Sequence, residues 1–439
     1  MYKIVVGVMV FLAWTGPSAN SVHADLMTAE ETADWSFQRV GSPVTLNSSG
    51  RGLFANVLLD GDTLITTYQT ANAESLTDGK SLYYRTFNRD LEVLQTEDHA
   101  IDVDSNEYID WKGDLGDHKL LLLDESIYMV AIVREQPQAV AFKFSKDFSY
   151  QAGPSYFGSP DQFTESHLDM GWGTDGEKLY AQFFSQPANS SPADWGAAIY
   201  RLNLDLTEDG SAVVQPETGS FVTGTSIVSV PAGQMGVNAD RLQIFSTNRD
   251  YGNPQRVGIH TFASDMDLEL VEGSTRDIVV AELDTYFPVG PSYNTKHQLW
   301  VVGYTMENEE GEHGIQGKSQ ELGPSFVTIF DAEWSQLQTI QLNNNDPAFR
   351  VMTQTEGDDI YIVYDEMDVN GAATVSRARI ERYRISVPEP ATLPFLLTGL
   401  VNLLLWHRRA SIRVDPLARM SLAFHQCPDQ ATAPRNGLA

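Results

Sequence analysis

Oxygen-bearing side chains at alternate positions are the first residues of this sequence whose types and spacing could do chemistry. Two short segments, DVDSN and EMDVNG, carry them as Asp102, Asp104, Asn106, Glu366, Asp368 and Asn370. Calcium loops place their carboxylate and amide ligands at alternate positions in this way. The first segment lacks a glycine at its sixth position, however, and the second has Arg377 where a bidentate acid would stand. Calcium is therefore a minor hypothesis. The leading explanation is that these acidic and amide side chains stabilise turns, as Asp and Asn commonly do.

Aromatic and amide side chains in polar segments are a second candidate, because they could stack on sugar rings and bind sugar hydroxyls. They are Trp195, Asn248, Arg249 and Tyr251. The competing explanation for the two rings is packing in a core, where aromatic side chains bury the most area. We keep these four residues as a candidate ligand-binding set.

No known catalytic motif is present. The chain has no G-x-S-x-G, H-E-x-x-H or Walker sequence. Its single cysteine, Cys427, lies beyond the last apolar run, so the body has no disulfide and no thiolate nucleophile. The histidines of the body lack metal-pair spacing and are expected in turns or at the surface; they are His99, His118, His167, His260, His297 and His313. We therefore assign no catalytic residue and no evident cofactor, and lean against an enzyme.

The charge of the chain limits its partners. The sequence carries 59 acidic and 29 basic residues, a net charge of −30. Such a surface repels phosphate backbones and anionic lipid, so nucleic acid is excluded as a partner, whereas cations and neutral polymers are compatible with it. At 42% hydrophobic residues the chain has the material for a core without disulfides.

Repeated strand-and-turn phrases indicate the elements that would position these residues. An aromatic residue or leucine, two further residues, an acid and an apolar residue recur at intervals of roughly 60 residues, as FNRDL, FSKDF, LNLDL, FASDM and FDAEW. Each phrase ends a run with strand character, which predicts a tight turn between antiparallel strands. A second element, a polar turn followed by a β-branched and aromatic strand, occurs six times and leaves the last repeat one strand short.

The missing strand stands at the other end of the chain. The segment ADWSFQRVGSPVTL near the N-terminus resembles AEWSQLQTIQL of the fifth phrase. A ring of sheets closed by its own N-terminal strand leaves no exposed edge. The sequence therefore predicts an all-β fold over residues 25–386, a six-bladed β-propeller whose N-terminal strand completes the last blade. The alternative is a pair of β-sandwich domains. In the propeller, the longer polar loops share one face, where a ligand is expected.

The N-terminus has the pattern of a secretory signal peptide. Lys3 precedes the apolar stretch IVVGVMVFLAW, and SVHA supplies small residues before a cleavage site after Ala24. Residues 1–24 are therefore predicted to be removed during export, which makes the secretion machinery a partner.

The segment VPEPATLPFLLTGLVNLLLWHRR near the C-terminus joins a Pro-Glu-Pro to a short apolar run and two arginines. As a helix, Ala391 to Trp406 would span ~24 Å, which is marginal for a bilayer. The order of these features resembles the PEP-CTERM sorting domain over residues 387–409, with the motif and basic cluster formed by Val387, Pro388, Glu389, Pro390, Arg408 and Arg409.

The resemblance implies recognition by exosortase in a Gram-negative bacterium that makes extracellular polysaccharide. The protein would cross the inner membrane, insert transiently through a single short C-terminal helix, and end at the cell surface or outside the cell. Residues 410–439 form a longer tail than the family usually has, and this tail is expected to be disordered.

Three functions fit these observations. The leading hypothesis is a non-catalytic protein of the cell surface or matrix that binds exopolysaccharide, because the repeat body lacks a catalytic motif. The first alternative is an extracellular polysaccharide-active enzyme, a lyase or hydrolase. The second is a purely structural matrix protein.

Overall fold

Antiparallel β-sheet is the only regular secondary structure in the described residues of the computed structural model. These residues are 35–47, 51–71, 81–95, 99–101, 115–133, 138–158, 170–185, 195–217, 222–234, 239–249, 257–281, 285–286, 290–307, 322–342, 348–367 and 376–387. Within those ranges there is no helix long and apolar enough to cross a membrane.

The strands, numbered β1 to β25 in chain order, form six sheets that follow one another as blades. In each blade the strands run in order from the innermost to the outermost. Blade 1 contains β2 (Arg51–Asp60), β3 (Thr63–Ala71), β4 (Ser81–Asn88) and β5 (His99–Ala100). Blade 2 contains β6 (Leu115–Leu123), β7 (Ser126–Val133), β8 (Gln138–Ser145) and β9 (Tyr150–Phe157). Blade 3 contains β10 (Met170–Thr174), β11 (Leu179–Ser185), β12 (Gly196–Leu202) and β13 (Glu208–Val214).

Blade 4 contains β14 (Val222–Val230), β15 (Arg241–Arg249), β16 (Val257–Asp265) and β17 (Arg276–Ala281). In blade 5 two short strands share the innermost position, so the blade contains β18 (Thr285–Tyr286) with β19 (Ser292–Asn294), β20 (Leu299–Glu307), β21 (Leu322–Phe330) and β22 (Gln336–Leu342). Blade 6 contains β23 (Ala348–Glu356), β24 (Asp359–Met367), β25 (Ser376–Ser386) and β1 (Ser36–Thr45).

The ring closes through the N-terminal strand. β1 pairs antiparallel with β25, from Ser36 opposite Ser386 to Thr45 opposite Arg379. Beyond β1, the Leu46 amide donates to the Ala378 carbonyl at 2.8 Å. The predicted six-bladed propeller, closed by its N-terminal strand, is therefore confirmed.

The core lies between neighbouring blades. Tyr180 and Ile199 of blade 3, for example, share one cluster of buried side chains with Ile244 and Phe262 of blade 4. Blades approach closely where a side chain is missing, since a Cβ on Gly303 would lie 2.8 Å from the Val351 carbonyl oxygen. The interior is thus a series of sheet-to-sheet contacts around a central channel.

The turns between the third and fourth strands of blades 1 to 5 have one design. In each, a large apolar residue adopts a positive φ, from 60° to 71°; these residues are Leu91, Phe148, Leu206, Leu268 and Trp334. In blade 5 the Asp331 carboxylate accepts the amides of Glu333 and Ser335 at 3.0 and 2.7 Å. Four of the repeated phrases place this apolar residue correctly. In the fourth, FASDM, the turn lies two residues later and ends on Leu268, because Asp265 caps it.

Candidate functional site

The innermost strands of all six blades surround a central channel with a cavity volume of about 280 Å³. The start of each innermost strand and the end of each second strand lie at the same face, which we call the long-loop end. Several hydroxyl side chains line the cavity, including Ser226, Ser292, Thr353 and Thr355. The Thr355 Oγ1 is buried and has no hydrogen-bond partner among the described residues.

Lys119 places an ammonium group in this channel. The residue lies on β6 of blade 2, is 4% exposed and lines the cavity. Its Nζ lies 3.4 Å from the Met352 Sδ of blade 6. Its carbonyl accepts the indole N–H of Trp172, in blade 3, at 3.1 Å. The lysine is thus held by the backbone of its own strand while its charge reaches toward a different blade.

Arg350 is a second buried cation and lies on β23 of blade 6, two residues before Met352. It is 2% exposed, and its guanidinium carbon lies 4.9 Å from the ring centroid of Phe54 in blade 1. Both residues have a positive φ, 52° for Arg350 and 56° for Phe54. Each sits where the register of its strand shifts, which marks a β-bulge. Positive φ is costly for large side chains and is often found at functional sites.

Asp365, near the end of β24, connects these two bulges. Its side chain is fully buried and accepts the amide of Phe54 at 2.8 Å and that of Ala55 at 3.3 Å. The Arg350 Nη1 lies 3.9 Å from its Oδ2. The carboxylate therefore fixes the strained start of β2 and lies beside a buried guanidinium.

His118, the residue before Lys119, is fully buried on β6. Its Nε2 lies 3.0 Å from the Asn56 Nδ2 and 2.9 Å from the Thr67 Oγ1, both in blade 1. Burial above all, and then the charges of Arg350 and Lys119, lower the pKa of His118 well below its usual value. The imidazole is therefore neutral at physiological pH and is oriented by the neighbouring blade.

We call Lys119, Arg350, Asp365 and His118 the channel cluster. Its side chains come from blades 2 and 6 and contact blade 1, and within the described parts of the chain they comprise two cations, one carboxylate and one neutral imidazole. Buried cations can bind an anionic group or stabilise negative charge that develops in a reaction. Buried ionisable groups of this kind are concentrated at functional sites.

None of the four residues of the channel cluster was predicted from the sequence. The expectation that the histidines lie in turns or at the surface is wrong for His118 and His260, which are both fully buried. It holds for His297, whose Nε2 lies 2.7 Å from the half-exposed Asp358 carboxylate on a turn. No glycine or other signal marks the bulges at Phe54 and Arg350, so the meeting of distant segments at Asp365 is visible only in the folded chain.

The predicted ligand-binding set is not brought together in what the structure describes. Trp195 lies edge-on to Phe184 at 5.9 Å and packs against the core between blades 3 and 4. Asn248 and Arg249 end β15, at the long-loop end. Tyr251 lies outside the described residues. A role for the four in binding stays a prediction.

The calcium hypothesis also stays open. The Glu366 carboxylate pairs with a cation, because its Oε2 accepts hydrogen bonds from Nε and Nη2 of Arg379, both at 2.8 Å. The other candidates, Asp102, Asp104, Asn106, Asp368 and Asn370, fall outside the described ranges. Within those ranges, no group of three or more acidic, histidine or cysteine side chains could hold a metal ion.

The sorting segment is described only at its first residue. Val387 is 44% exposed at the end of the propeller. The remaining motif residues lie beyond the described part of the chain, as do residues 1–24 and 410–439; these motif residues are Pro388, Glu389, Pro390, Arg408 and Arg409.

Comparison with known proteins finds the fold among solved structures. No family model and no curated protein matches the chain. An α-L-arabinofuranosidase from Fusarium graminearum matches with a TM-score of 0.49 and 12% identity, over 78% of this chain and 98% of that one. A neuraminidase-like protein of A/flat-faced bat/Peru matches with a TM-score of 0.46 and 9% identity, over 82% and 95%. The catalytic domain of a Coprinopsis cinerea α-L-arabinofuranosidase matches with a TM-score of 0.43 and 10% identity, over 81% and 97%.

These findings correct the predicted non-catalytic binding role, which we set aside. The matched propellers include arabinofuranosidases, and the channel of this propeller carries buried charges that the sequence did not reveal. The lean against an enzyme is set aside with it. At this identity and with TM-scores below 0.5 the likeness shows the fold alone, so the activity of this chain depends on its own residues.

Proposed function

We propose that this propeller is an extracellular polysaccharide-active enzyme, a hydrolase or lyase that cleaves glycosidic bonds at the long-loop end of its channel. The observation that carries the proposal is the channel cluster, in which ionisable side chains from two blades are buried beside two strained bulges. Carbohydrate-cleaving chemistry needs charged and proton-transferring groups held away from water, and the cluster is the described region that offers them.

The energetics favour a functional reason for the cluster. Moving an ion from water into the protein interior costs several kcal/mol. Removing one partner of a buried ion pair destabilises the protein by roughly 3–5 kcal/mol. A large residue at positive φ adds on the order of 1–3 kcal/mol of strain. Apolar residues would fill the same space without either cost. Buried charges and strained residues are concentrated at functional sites, where they provide chemistry that an apolar core cannot provide.

The groups differ in what they can do. Lys119 borders the cavity and is the described residue best placed to touch a substrate. Arg350 stands on the innermost strand of blade 6 against the Phe54 ring, outside the lining of the cavity. Asp365 is a positioning residue, because its oxygens hold the Phe54 and Ala55 amides. Positive charge there could neutralise a sugar carboxylate in an elimination or bind the departing oxygen in a hydrolysis.

The names of the matched structures give a first substrate to try. Two of them are α-L-arabinofuranosidases, so polymers that carry α-L-arabinofuranosyl groups belong in any test panel. The panel also needs acidic polymers, because the cations of the channel cluster are the feature that this chain presents.

Export and sorting complete the proposal. The signal pattern at residues 1–24 and the segment 387–409 would carry the propeller across the inner membrane to exosortase and then to the surface or the medium. The support for this route is the order of motif, apolar run and arginines in the sequence. An enzyme delivered there would meet extracellular polysaccharide.

The test is to incubate the purified protein with arabinan, arabinoxylan, pectate, alginate and hyaluronan, and to measure new reducing ends and product masses. A hydrolase adds water to each cleaved bond, whereas a lyase leaves an unsaturated sugar that absorbs ultraviolet light. We expect the Lys119→Met variant to lose activity by roughly 100-fold or more. Lys296→Met, which removes a half-exposed lysine on a turn, is the matched control. Cleavage that is unchanged in Lys119→Met would contradict the proposed site.

A further inference from the structure

We propose that the channel cavity binds one uncharged sugar unit of the 6-deoxyhexose class, with its methyl group against leucines on one side and its hydroxyl groups against serine and threonine hydroxyls on the other. The inference rests on the proposed function, because it names the class of sugar that the enzyme would hold, but it concerns binding and not cleavage. The observation that leads to it is the division of the cavity lining into an apolar and a hydroxyl-bearing part.

The cavity lies along the middle and the end of the innermost strands. Its lining begins at Val57 in blade 1, Lys119 in blade 2, Ser226 in blade 4 and Met352 in blade 6, and continues toward the turns that follow these strands. Lys119 therefore borders the cavity at the end nearest to the rest of the channel cluster. A terminal sugar held in the cavity with its linkage at that end would present the linkage to the lysine.

Leucines of blades 1 and 2 form the apolar side of the cavity. Leu59, Leu120 and Leu122 line it and are only partly buried. Leu120 and Leu122 pack against the buried core between blades 1 and 2, and Leu59 packs against the core between blades 6 and 1. The surface that these side chains leave uncovered faces the channel, and a ligand methyl group that covers it removes apolar area from water, which favours binding.

Blades 4 and 6 supply hydroxyl groups with unused hydrogen-bonding capacity. The Ser229 Oγ accepts the Thr174 amide at 2.6 Å, and its own hydrogen has no acceptor among the described residues. The Thr355 Oγ1 is buried and has no partner in the same part of the chain. A buried hydroxyl without a partner is costly, so these two groups favour a ligand that carries hydroxyls of its own.

The leucines and the hydroxyls lie at the same depth of the channel. Leu59, Leu122, Thr174, Ser229 and Thr355 are each the last residue of their innermost strand that lines the cavity, in blades 1, 2, 3, 4 and 6. In a ring of six blades, blade 4 stands opposite blade 1, so a ligand at this depth has leucine on one side and hydroxyl on the other.

A 6-deoxyhexose matches this division, because it carries a methyl group at C6 and hydroxyl groups at C2, C3 and C4. The parent hexose would bury its C6 hydroxyl against leucine without a partner, and a uronic acid would bury a charge there. The cavity volume of about 280 Å³ is near the lower limit of small-molecule sites, roughly 300 Å³, and suits one sugar unit. A net charge of −30 on the protein does not oppose an uncharged ligand.

The experiment titrates the full-length protein by calorimetry with two pairs of sugars, L-fucose with L-galactose and L-rhamnose with L-mannose. The members of each pair differ only in the hydroxyl at C6. We expect at least one 6-deoxy sugar to bind roughly tenfold or more tightly than its counterpart. Leu122→Asn should abolish that preference, because the amide can bond to the C6 hydroxyl. Leu123→Asn changes a partly buried leucine of the same strand outside the cavity lining and should keep it. Equal or tighter binding of the C6-hydroxylated sugars, or no binding of any of the four, would overturn the inference.

A second measurement covers the case in which Leu122→Asn does not fold. In the wild-type protein the methyl resonances of Leu122 should shift with the 6-deoxy sugar, whereas those of Leu123 should stay in place. Unmoved Leu122 resonances at saturation would also refute the inference. Cleavage of polymers without any preference in the titration would refute the 6-deoxyhexose class but keep the enzyme, whereas selective binding of a 6-deoxy sugar without cleavage of any polymer would do the reverse.

Discussion

Two buried histidines give the fold a dependence on pH. Burial lowers the pKa of His260 to about 4, and His118 titrates well below its usual range. In the unfolded chain both would titrate near ~6.5. The unfolded state therefore binds more protons between these values, so stability falls as pH falls from about 6.5 toward 4. For His260 the full difference is ~3 kcal/mol.

Replacing His260 should remove part of that dependence. Its two ring nitrogens have no hydrogen-bond partner among the described residues, so His260→Leu removes a proton-binding group without breaking a described bond. We expect the melting temperature of this variant to fall less steeply between pH 6.5 and 4 than that of the wild type. An equal slope in the leucine variant would show that His260 is not the cause.

Asp365 is the residue on which the channel cluster depends for its geometry. Asp365→Asn keeps the side-chain shape but removes the charge beside Arg350 and one acceptor for the Phe54 bulge. We expect a loss of ~3 kcal/mol in the free energy of unfolding, measured in urea. Asp358→Asn removes a half-exposed carboxylate that pairs with Lys296, and should cost no more than ~1 kcal/mol. Similar losses in the two variants would contradict the role given to Asp365.

None of these residues could be chosen from the sequence. His118 and Lys119 stand in a strand whose neighbours are leucines, and Asp365 stands in one of six similar second strands. Their significance comes from blades 6, 1 and 2 meeting at one end of the channel. The bulges that turn Phe54 and Arg350 inward carry no glycine, so nothing in the local sequence predicts positive φ there.

At the level of the elements, the repeated phrases predicted the turns because each carries a capping acid or amide and an apolar residue at fixed spacing. The closure of blade 6 was predictable for a related reason. A similar tryptophan-containing segment leads into β1 and into β22, and each of these strands is the outermost of its blade. The fourth turn was misplaced by two residues because FASDM begins with the aromatic residue that the phrase requires, whereas SDMDL, which forms the turn, begins with a serine. Only the hydrogen bonds of Asp265 distinguish the two.

The capping acid should be worth a measurable part of the stability. Asp331→Ala removes the acceptor for the amides of Glu333 and Ser335, and we expect it to cost ~1–2 kcal/mol. Glu333→Ala changes an exposed side chain of the same turn and should stay within about 0.5 kcal/mol of the wild type. Urea unfolding of both variants measures the difference, and equal stabilities would mean that the apolar residue at positive φ fixes the turn without the cap.

On the scale of the whole molecule, the chain joins a propeller to a proposed sorting segment. Deleting residues 387–409 should leave the propeller folded, because its last strand ends at Ser386. We expect the shortened protein to change location or processed mass in its source cells, as judged by fractionation and mass spectrometry. The control deletes residues 410–439 and keeps the segment. If removal of 387–409 changed neither mass nor location, the sorting assignment would fail.

The activity itself is the central claim, and the most direct test follows the length of a polymer. The purified full-length protein is mixed with the extracellular polysaccharide of its source cells, and the polymer is followed by size-exclusion chromatography over time. We predict that wild-type protein and Lys296→Met shorten the polymer and that Lys119→Met does not. A polymer that keeps its length with folded wild-type protein, whether or not the two co-elute, would contradict the enzyme.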